Sequence, residues 1–183
     1  MRKQLLSFVA SLALTASVGA AEAAQARDIR IALEVVASVN DYSQFTIFDD
    51  VSVEVENGVA TLTGKVTMPY KRTEIEKRTA AVVGVREVHN RIEVLPVSLF
   101  DDDLRNRVAK SIYGNANFWD YAIMRNPPIH IIVERGHVTL TGVVRSESDK
   151  MLARSLASQF GAFSVTSKLK TDAEATNTRA ESE

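Results

Sequence analysis

From Val51 the chain alternates strictly, with Val51, Val53 and Val55 set against Ser52, Glu54 and Glu56. A period of two is that of a strand with one buried face. Asn57-Gly58 follows, the pair favoured in a two-residue type I′ hairpin because both positions take positive φ. The chain should therefore turn back so that Glu56 faces Val59 and Glu54 faces Thr61. That register puts Val51, Val53, Val55, Ala60, Leu62 and Val66 on one face, with the threonines and Lys65 on the other. The period then lengthens. Pro69 suits a first helical turn, and Ile75, Thr79, Val82 and Val83 recur at helical spacing until Gly84. The run VREVHNRIEV reads as a closing strand, and DIRIALEVVASVN as an opening helix capped by Asp28.

The same order returns further along. NGVATLTGKV (57–66) is matched by RGHVTLTGVV (135–144), an internal repeat. Ile129, Ile131, Val133, Val138, Leu140 and Val144 take one face; His130, Ile132, Glu134, His137, Thr139 and Thr141 take the other. Arg135-Gly136 is a poorer turn pair, because a side chain with a Cβ resists positive φ, and it leaves room for a slightly different turn. DLRNRVAKSIY, capped by Asp103, opens this unit. Ser148 or Asp149 caps a second helix carrying the stripe Leu152, Leu156, Phe160, which Gly161 stops, and VTSKLK closes the unit. The fold class predicted is α+β: two tandem small domains, each helix-strand-strand-helix-strand, with two helices packed on a three-stranded sheet. Their expected bounds are 27–96 and 97–170. Residues 171–183 lack apolar periodicity and read as a disordered tail.

The N-terminus is different in kind. Arg2 and Lys3 precede an apolar run and two small-x-small sites, AEA and AQA, which together read as a signal peptide over 1–26, cleaved after Ala23 or Ala26. The run from Leu5 to Ala20 is short for a span and rich in small residues, so the mature chain is expected to be exported and without a transmembrane segment. With no cysteine, neither a disulfide framework nor a lipidated thiol is available. The mature chain would carry 20 basic and 22 acidic side chains, a balance that argues against nucleic acid as a partner. The balance is uneven between units: residues 28–96 sum to −3 and residues 101–170 to +3.

Candidate chemistry is sparse. There are three histidines; His130 and His137 share a face but lie about 13 Å apart along the strands, too far to share an ion. No nucleophile elbow or phosphate-cradling loop is present; Asp49-Asp50 precedes a strand and Asp101-Asp102-Asp103 begins a helix, where acids suit capping and the dipole better than a cation. No catalytic, metal or cofactor site is predicted. What stands out is the connection Gly114 to Pro128, longer than its counterpart by three or four residues and carrying Phe118, Trp119, Tyr121, Ile123 and Met124. Such a segment buries its aromatics or exposes a patch. Trp119 is expected to be substantially buried, with Tyr121, Met124 and Arg125 at a rim that would meet lipid or a partner.

An alternating strand, NG or RG, A/V-T-L-T-G-x-V, a helix and G-V-x-x-V-x-N-x-I-x-V together resemble the BON domain, a transport-associated module of bacterial envelope proteins. The first copy supplies Gly58, Leu62, Gly64, Val66, Gly84, Val85, Val88, Asn90, Ile92 and Val94; the second supplies Gly136, Leu140, Gly142, Val144, Val165 and Leu169. The second copy departs at Gly161-Ala162 and at Ser167, which stands where the first has Asn90. The resemblance implies a non-enzymatic exported protein without cofactors, whose partners are anionic phospholipid or envelope proteins. It implies as the alternative a periplasmic stress or chaperone-like protein that shields unfolded clients.

Overall fold

The computed structural model describes residues 10–180, which form two α+β units in tandem. The first comprises α1 (Ala10–Asn40), β1 (Asp50–Glu56), β2 (Val59–Val66), α2 (Pro69–Ala80) and β3 (Glu87–Val94). The second comprises α3 (Leu99–Tyr113), a short α4 (Trp119–Ala122), β4 (Ile129–Glu134), β5 (His137–Val144), α5 (Glu147–Ala157), β6 (Ser164–Ser167) and β7 (Lys170–Thr171), followed by α6 (Asp172–Ala180). In each sheet the hairpin is antiparallel and the last strand returns parallel to the middle one, in the orders β1-β2-β3 and β4-β5-β6. β7 prolongs the β6 line beside β5.

The registers are those the alternation dictates. Glu56 faces Val59 and Glu54 faces Thr61. One residue's slip would expose Leu62 or Leu140, both fully buried. Opposite each strand start sits a glycine, Gly64 or Gly142, where an added Cβ would strike the backbone carbonyl of Asp50 or Pro128. The conserved look of T-L-T-G in both copies is thus a matter of close main-chain approach. α1 lays Ile31, Val35 and Val39 on the first sheet, while α3 lays Leu104, Val108 and Ile112 on the second, so the helices are equivalent residue by residue.

Several ends differ from the sequence expectations. Asp28 lies inside α1 and caps nothing, and residues 10–26 of the expected signal segment continue that helix; residues 1–9 fall outside the described chain. No helix among the described residues is long and apolar enough to cross a membrane. α3 begins before Asp103, with Ser98 Oγ accepting from the Asp101 amide at 3.2 Å, and α5 is capped by Ser146, not by Ser148 or Asp149. Serine oxygens just before the apolar stripe satisfy orphan amides that acids within the helix cannot reach. α2 stops at Ala80, leaving Val83 exposed. The expected tail at 171–183 is structured as far as Ala180: Thr171 Oγ1 accepts from the Glu174 amide, and a Glu174 carboxylate oxygen accepts from the Thr171 amide at 2.7 Å. This reciprocal capping box is what apolar periodicity does not reveal.

The units meet through the loop Asp41–Asp49. Its Asp49 carboxylate is fully buried and accepts from Thr46 N and Oγ1, Thr67 N and Oγ1, and Lys71 Nζ, the last at 2.6 Å. Lys71 is buried as well, so the charges leave water as a pair with their hydrogen bonds filled. So fixed, the loop offers main-chain oxygens to β4: Ile47 O accepts from Ile131 N at 2.7 Å, and Asp49 O accepts from His130 Nδ1. Phe45 lies against the His130 ring, Ile47 and Phe48 pack on the second core, and Lys65 pairs with Glu134. Ile132, on the face expected to be polar, is buried.

Candidate functional site

Each hairpin turn is held from a distance. Asp28 accepts from the amides of Asn57 and Gly58, and Asp101 from those of Arg135 and Gly136, the latter two at 2.8 Å. The clamp gives both turns one shape: Asn57 and Arg135 each have φ of 51°, followed by Gly58 at 77° and Gly136 at 78°. The different turn that the sequence left open at Arg135 does not occur, because two charge-assisted bonds offset the local strain. The clamps also align the units. Asp28 matches Asp101 and Asn57 matches Arg135, which makes the connection after α3 five residues longer than the one after α1, not three or four.

That connection sorts its aromatics differently from expectation. Phe118 and Tyr121 enter the core, whereas Trp119 is 69% exposed, Ile123 77% and Met124 47%. A 3₁₀ turn at Ala116–Phe118 runs into α4 and points Phe118 inward; Tyr121, three residues on, shares that side, so Trp119 and Ile123 face out. Tyr121 is therefore not part of the rim. Its ring stacks near Phe118, its hydroxyl accepts from the Arg145 amide at 3.0 Å, and the Arg145 guanidinium lies 4.9 Å from its centroid. Arg125 is exposed and pairs with Asp41 at 3.3 Å.

The second unit carries another exposed apolar surface, missed by the sequence reading. At its hairpin end Val97 is 93% exposed, Leu99 87% and Phe163 74%, and Phe100 stacks on Phe163 with centroids 6.3 Å apart. His137 meets the Phe163 ring edge-on, and the ring lies so close over Gly136 that a Cβ there would strike it. The clamp alignment gives the equivalents in the first unit: Arg27 for Phe100, and Arg86, whose amide donates to Gly58 O as that of Phe163 donates to Gly136 O, for Phe163. Two arginines have become two phenylalanines. The signal was in the repeat, but these positions flank its well-matched core.

The remaining motif residues are structural. Gly84 and Gly161 have positive φ where the chain leaves its helix. Asn90 donates to Arg72 O and to Glu76 while accepting from Ile92 N, which ties β3 to α2. Ser167 cannot reach so far; its buried Oγ has no partner and the last strand breaks after it. Burial pushes the Tyr113 phenol far above its usual range, so it keeps the proton with which it bonds Ile129 O. Among the described residues no three potential ligands cluster as a metal site needs.

Comparison with known proteins gives one clear family. Two solved structures match over most of their length: a structural protein of the type III secretion system of Chlamydia trachomatis, 12% identical over 79% of this chain and 96% of that one, with a TM-score of 0.27, and the C-terminal domain of the same protein, 12% identical over 75% and 97%, also 0.27. No curated protein matches. The family model for the BON domain matches twice, at residues 28–96 and 101–173, on the two units described above. The chain therefore belongs to the BON-domain family, as a tandem of two modules.

Proposed function

We propose that the protein acts without catalysis, as an exported envelope protein that binds anionic phospholipid surfaces through its second module. BON domains are associated with phospholipid or envelope binding and are generally non-enzymatic. One observation carries the reading to this chain: the stacked pair Phe100 and Phe163 stands exposed beside the Arg135 turn, with Val97 and Leu99 exposed just before Phe100 in the chain, on the module whose net charge is positive. Aromatic and aliphatic side chains enter the head-group region while a neighbouring guanidinium meets phosphate. Trp119, Met124 and Arg125 form the second candidate contact; envelope proteins would meet the same apolar residues.

Cosedimentation of the mature chain with anionic vesicles tests this. Binding is expected at low salt and weakens as salt screens the charges. Phe163→Glu should lower it about tenfold by placing a carboxylate among lipid head groups. Absence of binding at low salt removes the lipid reading. Trp119 emission separates the surfaces: no change on vesicle addition assigns contact to the hairpin end, and a blue shift assigns it to the connection.

A further inference from the structure

The first strands of the two modules are treated differently at their outer edges. In a two-residue hairpin the pairs Glu134/His137, Ile132/Thr139 and His130/Thr141 exchange ladder bonds, so the main-chain groups of Ile129, Ile131 and Val133 point off the sheet. All three are covered. Tyr113 Oη accepts from Ile129 N at 3.1 Å and donates to Ile129 O, Ile131 N donates to Ile47 O, and Arg105 Nη2 donates to Val133 O at 2.6 Å.

In β1 the equivalent groups belong to Val51, Val53 and Val55, and among the described residues nothing bonds to them from outside the sheet. The reason lies in two substitutions across the repeat: Asn40 stands where Tyr113 does, and Ala32 where Arg105 does. Beside Val55 this leaves a groove of ≈ 700 Å³ lined by Asp28, Ile29, Ala32, Glu54 and Glu56. β1 is seven residues long, has no proline, and carries Asp50, Glu54 and Glu56. An open edge of that kind accepts another strand or loop.

The segment built to cover it is on the same chain. The loop Asp41–Asp49 covers β4; its counterpart in the second module is the connection that exposes Trp119, Ile123 and Met124. Counting back from the strand starts, Arg125 takes the place of Ile47 and Ile123 that of Phe45. The connection's Trp119, Ile123 and Met124 are thus left uncovered where the twin loop is docked, Arg125 is held by a solvent-exposed pair with Asp41 that the acids of β1 can replace, and the modules carry opposite net charge. On its own chain the connection lies against the end of α1 and the start of the first loop, with Arg125 on Asp41 and Asn126 Nδ2 donating to Asn40 O. We infer that a second copy of the chain docks head to tail, with residues 114–128 of one copy on the β1 edge of the next, repeating the contact between modules. Such a contact is heterologous, so it propagates or closes into a ring and does not stop at a two-fold dimer. It stands independently of lipid contact at the hairpin end, and it competes with lipid for the second candidate contact at Trp119, Met124 and Arg125.

The chain's lack of cysteine makes the test direct. Phe45 lies 5.6 Å from His130 between ring centroids, and the equivalent pair across two copies is Ile123 and Ser52. Full-length Ser52→Cys and Ile123→Cys chains, mixed under mild oxidation, should form a disulfide-linked heterodimer whose yield rises with concentration. Each variant alone should stay monomeric on a denaturing gel. Glu54→Lys should lower the yield about tenfold by repelling Arg125, whereas Phe163→Glu, which tests lipid binding, should leave it unchanged. Cross-linking within either variant alone, or none in the mixture with sedimentation showing only monomer, overturns the proposal.

Discussion

The two modules share a fold and a register, yet they differ wherever the fold leaves a choice. At the hairpin end the first carries Arg27 and Arg86, and the second Phe100 and Phe163. At the edge of the first strand the first module is open, while the second is closed by Tyr113, Arg105 and the neighbouring loop. Below that loop the first module buries Asp49 with Lys71, but the second has Pro127 and Asp149 at the matching positions. The duplication has kept what the sheet requires, namely the turn clamp, the glycine beneath the strand start and the apolar stripe. It has diverged at surfaces and joints, which is where partners are chosen.

The sharpest way to break this contrast is to remove the ion pair that only the first module has. Lys71→Met leaves a buried carboxylate without its cation and is expected to cost about 3–5 kcal/mol. Denaturant unfolding should show the loss in the first module, and hydrogen exchange should show the Ile131 amide losing protection as the loop that covers it slackens. Retained protection at Ile131 would mean that the loop is held by its packing alone.

A smaller difference separates the two clamps. Asp101→Asn should cost about 1–3 kcal/mol, and Asp28→Asn less, because Asn57 takes positive φ more readily than Arg135. Equal losses by thermal unfolding would show that the clamp contributes only its hydrogen bonds.

The smallest effects are those of pH. The hydrogen bond to Glu134 raises the Lys65 pKa above its ordinary 10.5, against burial, with Glu93 helping. The stability from this joint is therefore fully present below 10.5 and is lost as pH rises through the raised value. The Thr171 amide, and after it Lys150, holds Glu174 below its ordinary 4.5. That contribution is present above 4.5 and fades as pH falls through the lowered value, so α6 should fray first in acid. Amide exchange measured across both ranges distinguishes the joint from the C-terminal helix.

Strand order, register and the buried faces were legible because alternation and a repeated T-L-T-G fix which side chains face the core. Helix ends were less so, since Ser98, Ser146 and the Thr171–Glu174 box act through single oxygens that leave no period. Trp119 was misplaced for a related reason: on a helix of four residues, composition says that something is buried but not which side. Phe118 and Tyr121 took the core, and the largest side chain was left out. The hairpin-end cluster was invisible for another reason. Phe100 and Phe163 are 63 residues apart and meet only because the last strand returns parallel to the middle one.

The clamp by which Asp101 holds the amides of Arg135 and Gly136 also changes where the instruction for a turn resides. The hairpin's tip is specified by a helix residue 34 positions upstream, so the residue at the tip is released from the usual asparagine and can be chosen for what it presents outward. In the second module that freedom has placed an exposed arginine at the tip, next to the glycine over which the Phe163 ring lies. Such a tip is a cassette, whose exposed residue can drift or be exchanged while a carboxylate elsewhere keeps its shape.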